Sequence, residues 1–323
     1  MNKQVSYKPK KQSWLKISTD LLTLFETGTH TDGLPYLKVL DTLSADSPLT
    51  NAKKHAAWVK QKVNSSHLNL LIAEDLYQLL LSDVPDVPDD ELESAIELKA
   101  ADLLSYDLDD AILDVIRLPK EAYRGRMKMA FIIAMQKPAV QQWIIQLIQQ
   151  GIKVSTVDIS VTQLRNFGLR AQNFTESGIF HIQPAKCRLV LNFQNEMVLS
   201  RTFETGLKDM VGAGQTVQDD ELEVTVDSAS TSGSTIQMES LALDIRRSFD
   251  YYESQLGLGA VAELNILCGE NYTPLVKTLA GKLGVRFKIL NPADFMHLIS
   301  DQPTNGDGTY FELIGCAFRE ALS

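Results

Sequence analysis

The longest apolar run in the chain, residues 129–135, covers seven positions. That is the length of a strand buried on both faces, where the usual in-and-out alternation disappears. It is far below the ~20 residues that a helix needs to cross a bilayer. Residues 112–118 read as a neighbouring strand. Before the pair lies a helix with an apolar stripe at Leu92, Ile96, Ala100 and Leu103, the rhythm of one buried face. After it, a helix opens at Pro138, buries Val140, Trp143, Ile144, Leu147 and Ile148, and stops at Gly151. The result is an α-β-β-α unit that feeds a further strand at 154–159, which places the chain among layered α/β proteins.

Upstream, residues 14–19, 21–27 and 36–43 read as strands, with turn signals at Gly28 and Asp32-Gly33. A helix over 52–63, entered through Ser47-Pro48 and Thr50-Asn51, precedes a strand at 67–73. Residues 84–90 alternate Pro, Val and Asp and mark a boundary, and Asp90 with Glu93 has capping-box spacing. Downstream, a helix is expected over 161–172, then strands 187–193 and 196–203 turning at Gln194-Asn195. Residues 206–237 carry the least pattern, and the Ser/Thr-rich piece 227–235 reads as a flexible loop. A helix follows from Glu239 through Leu241, Ile245, Phe249, Tyr252 and Leu256. Strand 264–267, a helix from Thr273 to Leu283 closed by Gly284, strand 285–290 and an amphipathic helix over 311–322 complete the pass.

A net charge of −10 argues against a nucleic-acid partner, because phosphate contacts need clustered Lys and Arg. The basic cluster Lys3, Lys8, Lys10 and Lys11 reads as a solvated tail. The N-terminus has charge but no apolar core behind it, so no signal peptide is expected. Cys187, Cys268 and Cys316 stand apart and read as free thiols of a reducing compartment, hence a cytoplasmic chain. No P-loop, HExxH or CxxC motif occurs. Gly257-Leu-Gly259 and Gly212-Ala-Gly214 follow no strand and read as plain loops. His55, on a lysine-rich helix, reads as surface, and His297, beside Met296, as helix packing or surface. Asp86, Asp89, Asp90 and Glu91 read as a solvated helix start, where acidic side chains suit the macrodipole, and no metal site is expected.

Several segments, taken in order, resemble the PilM-type pilus-assembly family. They are Pro88 to Leu92 through Ile96 to Leu104, then Asp114-Val115, and Gly151 through Val157-Asp158-Ile159 with Leu164-Arg165. Ile245-Arg246-Arg247-Ser248 with Tyr251 to Leu256, Ile266 to Gly269, Leu283-Gly284, Asn291-Pro292 and Ile314 to Arg319 continue the match. Within that family the chain is most similar to the MshI branch, which serves the mannose-sensitive haemagglutinin (MSHA) pilus. The resemblance implies an actin-like (ribonuclease H-like) α/β fold of two lobes, with the α-β-β-α subdomain inserted in the first. It implies a tail over 1–12, a first lobe over 13–86 rejoined by 155–178 and 309–323, and the insert at 87–154. It also implies a second lobe over 179–308, with a shortened part near 206–237.

In that family two hairpins grip nucleotide phosphates. The first carries Asp-Ile-Gly-Ser, matched here by Lys16, Ile17, Ser18 and Thr19; the second carries Asp-Ile-Gly, matched by His181, Ile182 and Gln183. Aspartate organises Mg²⁺, and glycine lets backbone N–H groups approach phosphate with no Cβ in the way. Both aspartates and both glycines are replaced, and the adenosine-side Gly-Gly pair is half kept as Gly269-Glu270. Asp158 survives at a strand end, where a structural cap explains it equally well. The resemblance therefore implies a degenerate pocket, no expected cofactor and no ATP hydrolysis. It further implies a cytoplasmic scaffold peripheral to the inner membrane, which binds the tail of a PilN-like membrane protein within the pilus platform. Leu92, Ile96 and Leu103 are candidates to line that groove, against the plainer reading that they pack on their own sheet. Other readings are an ATP-binding switch of the same machinery and a GspL-like secretion component. The latter continues into a transmembrane helix, which is not expected in this chain.

Overall fold

The computed structural model describes residues 11–84, 87–88, 91–172, 177–211, 228–269, 273–300 and 310–321. The chain opens with an antiparallel meander of β1 (Gln12–Ile17), β2 (Leu21–Thr29) and β3 (Pro35–Ser44). Helix α1 (Ala52–Lys62) then returns the chain to β4 (His67–Ile72), which pairs parallel to β1. Trp14, Leu15 and Ile17 of β1 are all fully buried, as expected of a strand with neighbours on both edges and layers on both faces. His55 of α1 is buried too, which corrects its reading as surface: the lysines beside it face water while the imidazole turns inward.

The inserted unit begins one element earlier than the sequence pattern suggested. Strand β5 (Gln78–Asp83) precedes α2 (Leu92–Ala101), β6 (Ala111–Arg117) and β7 (Met129–Gln136), and the three strands form a sheet in the order β5-β7-β6. The long apolar run is β7, the central strand of this sheet. Its Ile132 faces Ile96 and Ala100 of α2, while Phe131, Ile133 and Met135 join the main core. Both faces are dry, so alternation is absent. Helix α3 (Lys137–Gln149) packs against α1, and Trp143 Nε1 donates to the Pro48 carbonyl at 3.1 Å. Ile148, expected on its buried face, is exposed. Gly151, at φ +74°, ends α3 in a conformation that costs glycine nothing.

Strand β8 (Lys153–Ile159) pairs parallel to β4, and α4 (Ser160–Gln172) leads into a second meander, β9 (Ser177–Ile182), β10 (Cys187–Phe193) and β11 (Glu196–Phe203). Gln194 and Asn195 turn the last hairpin with φ of 50° and 66°. After α5 (Leu207–Val211) comes α6 (Ser228–Asp250), with a π-helical turn at Tyr251–Gln255. The Ser/Thr-rich segment read as a loop is, from Ser228 on, the start of this long helix. Strand β12 (Glu263–Leu267), α7 (Thr273–Leu283) and β13 (Arg286–Ile289) complete a five-stranded sheet ordered β11-β10-β9-β12-β13.

Strand β14 (His297–Ser300) then pairs parallel to β3, so the chain rejoins the first sheet before residue 309, where the return was expected. The first sheet is thus β14-β3-β2-β1-β4-β8. Apart from β14, both large sheets have one plan: a three-stranded meander whose first strand pairs parallel with the next incoming strand, which pairs parallel with another. A 3₁₀ helix, Phe311–Ala321, closes the chain and packs against α4, β3 and β2. At Gly315 the approach is so close that a Cβ would overlap the Gln163 carbonyl of α4.

Candidate functional site

The two turns matched to phosphate hairpins leave equivalent strands of the two large sheets. Beyond β1, the turn at Ser18 is closed by its N–H donating to the Leu21 carbonyl at 2.9 Å. Beyond β9, the Gln183 N–H donates to the Lys186 carbonyl at 3.0 Å. Between them lies Glu312, from the closing 3₁₀ helix. Lys16 Nζ donates to Glu312 Oε2, and Gln183 Nε2 donates to Glu312 Oε1. Gln183 Nε2 also lies 3.3 Å from His181 Nδ1. The structure therefore brings Lys16, His181 and Gln183 together, around a carboxylate that the sequence reading did not single out.

Arg188 sits beside His181 in the β9–β10 register and is 2% exposed. It forms an ion pair with Glu74, which follows β4, and its Nη1 lies 3.3 Å from Ser160 Oγ at the start of α4. Glu74 also accepts from Thr202, and Lys186 Nζ is 3.5 Å from Glu74 and 2.9 Å from Asp75. Two acidic anchors, Glu312 and Glu74, thus tie groups from both large sheets. Burial by itself would raise the Glu312 carboxyl. Lys16, Arg188 and His181 outweigh it and hold the group below the usual carboxylate range. Burial lowers His181 to about 4, with Glu312 opposing and Lys16 assisting, so the imidazole is neutral near pH 7. Burial lowers Arg188 to about 10, which leaves it charged.

Asp158 stands apart from this group. Its Oδ1 accepts from the Ile159 N–H at 2.8 Å and from Thr162 Oγ1 at 2.6 Å, and its Oδ2 accepts from Arg319 Nε at 2.8 Å. It caps the first turn of α4 and clamps the closing helix there. Gly269 is buried just past β12, and Glu270 lies outside the described residues. Of the groove candidates, Leu92 opens α2, Ile96 is buried against Ile132, and Leu103 is exposed beyond the helix end. The stripe's Ile96 and Ala100 are core of the small sheet, so Ile96 has no surface to offer a partner.

A fold of this type raises the question of a magnesium-bound nucleotide, and the residues present do not fit one. Where two carboxylates would organise the metal stand an ammonium and a neutral imidazole. The cations that could meet a phosphate are already neutralised by Glu312 and Glu74.

No protein-family model matches the chain, and no curated protein matches it. Solved structures share its fold along nearly its whole length. A chain from a PilM-PilN type IV pilus biogenesis complex is 17% identical, with 96% of this chain and 98% of that one covered at a TM-score of 0.66. The fold is the actin-like α/β fold. A Bacteroides thetaiotaomicron protein of actin-like ATPase fold and unknown function matches at 13% identity over 88% and 91% of the two chains, TM-score 0.49. The cytoplasmic domain of EpsL, an inner-membrane component of the Vibrio cholerae type II secretion system, matches at 10% identity over 97% and 95%, TM-score 0.45.

Proposed function

We propose that this chain is a non-catalytic scaffold of a type IV pilus assembly platform of the MSHA type. On this reading it holds the cytoplasmic tail of a PilN-like inner-membrane protein and does not hydrolyse ATP. The observation that carries the reading is the likeness, over 96% of the chain, to a chain of a PilM-PilN complex. The Glu312 carboxylate held between the two turns by Lys16 and Gln183 supports the absence of hydrolysis. Membrane association would come through the partner, and no helix among the described residues is long and apolar enough to cross a membrane.

On this reading the extended tail lies beside β6, the edge strand of the small sheet. A cavity of about 450 Å³ is lined there by residues 115–119 together with Arg165 and Glu196. An edge strand offers backbone N–H and C=O groups to an added strand, and neighbouring pockets select its side chains. Calorimetric titration with the tail peptide and with Mg²⁺–ATP tests the proposal. Peptide binding weakened by Arg117→Glu, with no heat from Mg²⁺–ATP, is the expected outcome. Magnesium-dependent ATP binding would make the chain a nucleotide-driven switch instead, and failure to bind the peptide would sink the scaffold.

A further inference from the structure

We propose that His30, Asp32 and His297 form a binding site for one divalent cation of the zinc class. The three residues meet far from the cleft, where the turn between β2 and β3 faces the first residue of β14. Their donor atoms all lie within 4.8 Å of one another. His30 Nδ1 is 3.3 Å from Asp32 Oδ1, and His297 Nε2 is 2.5 Å from Asp32 Oδ2. The two imidazoles are 4.4 Å apart between centroids and tilted by 50°.

Zinc bonds to nitrogen and oxygen run at about 2.0–2.2 Å in a tetrahedral shell. Donors around such an ion sit about 3.3 Å apart, a separation that follows from those bond lengths. The His30–Asp32 pair already has it. The His297–Asp32 pair is closer because the two side chains are hydrogen-bonded to one another in the metal-free protein. Cation binding replaces that hydrogen bond, with the carboxylate of Asp32 and a ring nitrogen of His297 both turning a lone pair to the ion. Two imidazoles and one carboxylate leave a fourth position for water, the donor set of a site with borderline-soft nitrogen ligands.

The backbone holds two of the ligands in place beforehand. His30 N–H donates to the Leu34 carbonyl at 2.8 Å, Gly33 N–H donates to the His30 carbonyl at 3.0 Å, and Leu34 N–H donates to Asp32 Oδ1 at 3.0 Å. Gly33 takes φ +89°, open to glycine at no cost. The third ligand arrives on another strand, since His297 registers with Tyr36 of β3. A bound ion would staple β14, an edge strand formed by the returning chain, to the opposite corner of the first meander. The sequence offered no reason to group His297 with the other two, which lie more than 260 positions away.

The test is calorimetric titration of the full, tag-free, EDTA-treated protein with ZnCl₂, alongside Asp32→Asn, His30→Ala and His297→Ala. Single-site binding is expected, weakened about tenfold or more in each variant, with His67→Ala as an unaffected surface control. Asp32→Asn keeps the size of the side chain, and unchanged circular dichroism would separate ligand loss from misfolding. A titration without heat, or zinc binding equally strong in Asp32→Asn and His297→Ala, would overturn the site.

Discussion

Lys16, in β1 of one sheet, and Gln183, just past β9 of the other, hold the two oxygens of a single carboxylate, that of Glu312. The carboxylate is a resident anion between two turns that leave equivalent strands. Lys16 is the cation paired to it, so its removal leaves that partly buried ammonium without its counter-charge. Breaking a buried ion pair from one side costs about 3–5 kcal/mol. Glu312→Ala is therefore expected to lower the urea midpoint by an amount of that order. The paired replacement Lys16→Met with Glu312→Leu should recover most of it, because no unpaired charge remains.

Acid sensitivity follows from the same cluster. His181 has its folded pKa depressed to about 4 from an ordinary 6.5, so between those values the unfolded chain binds the proton and the native chain does not. Stability is then complete above pH 6.5 and falls as pH drops toward 4. The two and a half units correspond to about 3 kcal/mol at full protonation of the unfolded state. Glu312, also depressed, extends the loss below the ordinary carboxylate range. Urea midpoints from pH 7 to 4 should slope downward, and His181→Gln should flatten most of that window. His55, lowered by its own burial, leaves a residual slope.

Much of the framework was legible in the chain because it rests on local chemistry. Gly151, Gly284 and the Gln194-Asn195 turn mark element ends through backbone preference, and the first three strands announce themselves by residue type and turn signals. What failed is equally physical. Ser228 to Thr235 has loop composition, yet it is carried into helix as the front of α6, whose apolar stripe is packed further along. Strands β5 and β14 have short patterns whose pairing partners lie far away in sequence. The site was half readable. Family resemblance pointed to Lys16, His181 and Gln183, but Glu312 and Arg188 were missed because their partners are remote. A signal existed in both: Arg188 is the one charge in the strand Cys187–Phe193, and Glu312 stands in an apolar stretch of the closing helix. A lone charge in a buried run requires a counter-charge, so each of the two signals a partner elsewhere in the chain, Glu74 for Arg188 and Lys16 for Glu312.

Gly315 gives a prediction about the contact that positions Glu312. The closing helix meets α4 so tightly there that a methyl group would overlap the Gln163 carbonyl, a backbone atom that cannot swing aside. Overpacking of this sort costs about 1–3 kcal/mol, and more when backbone must move. Gly315→Ala should lower the thermal midpoint clearly, whereas Gly281→Ala, with open space around the added carbon, should leave it level or raise it. Equal midpoints for the two variants would show that the close approach is absent in solution.

If Glu312 acts as a built-in anion, a small external anion should replace it once its side chain is gone. In Glu312→Ala the cavity left behind is polar and faces Lys16 and Gln183, groups whose charge and donors match phosphate or formate. An anion that binds only the folded state stabilises it by mass action, about 2.7 kcal/mol at a hundredfold excess over its dissociation constant. Thermal melts with increasing phosphate, at constant ionic strength, should therefore rise for Glu312→Ala and stay nearly flat for the parent chain. Lys16→Met added to Glu312→Ala should abolish the rise, since the cation that draws the anion is gone. Parallel phosphate responses in the parent and Glu312→Ala would mean that the carboxylate does not fill an anion site.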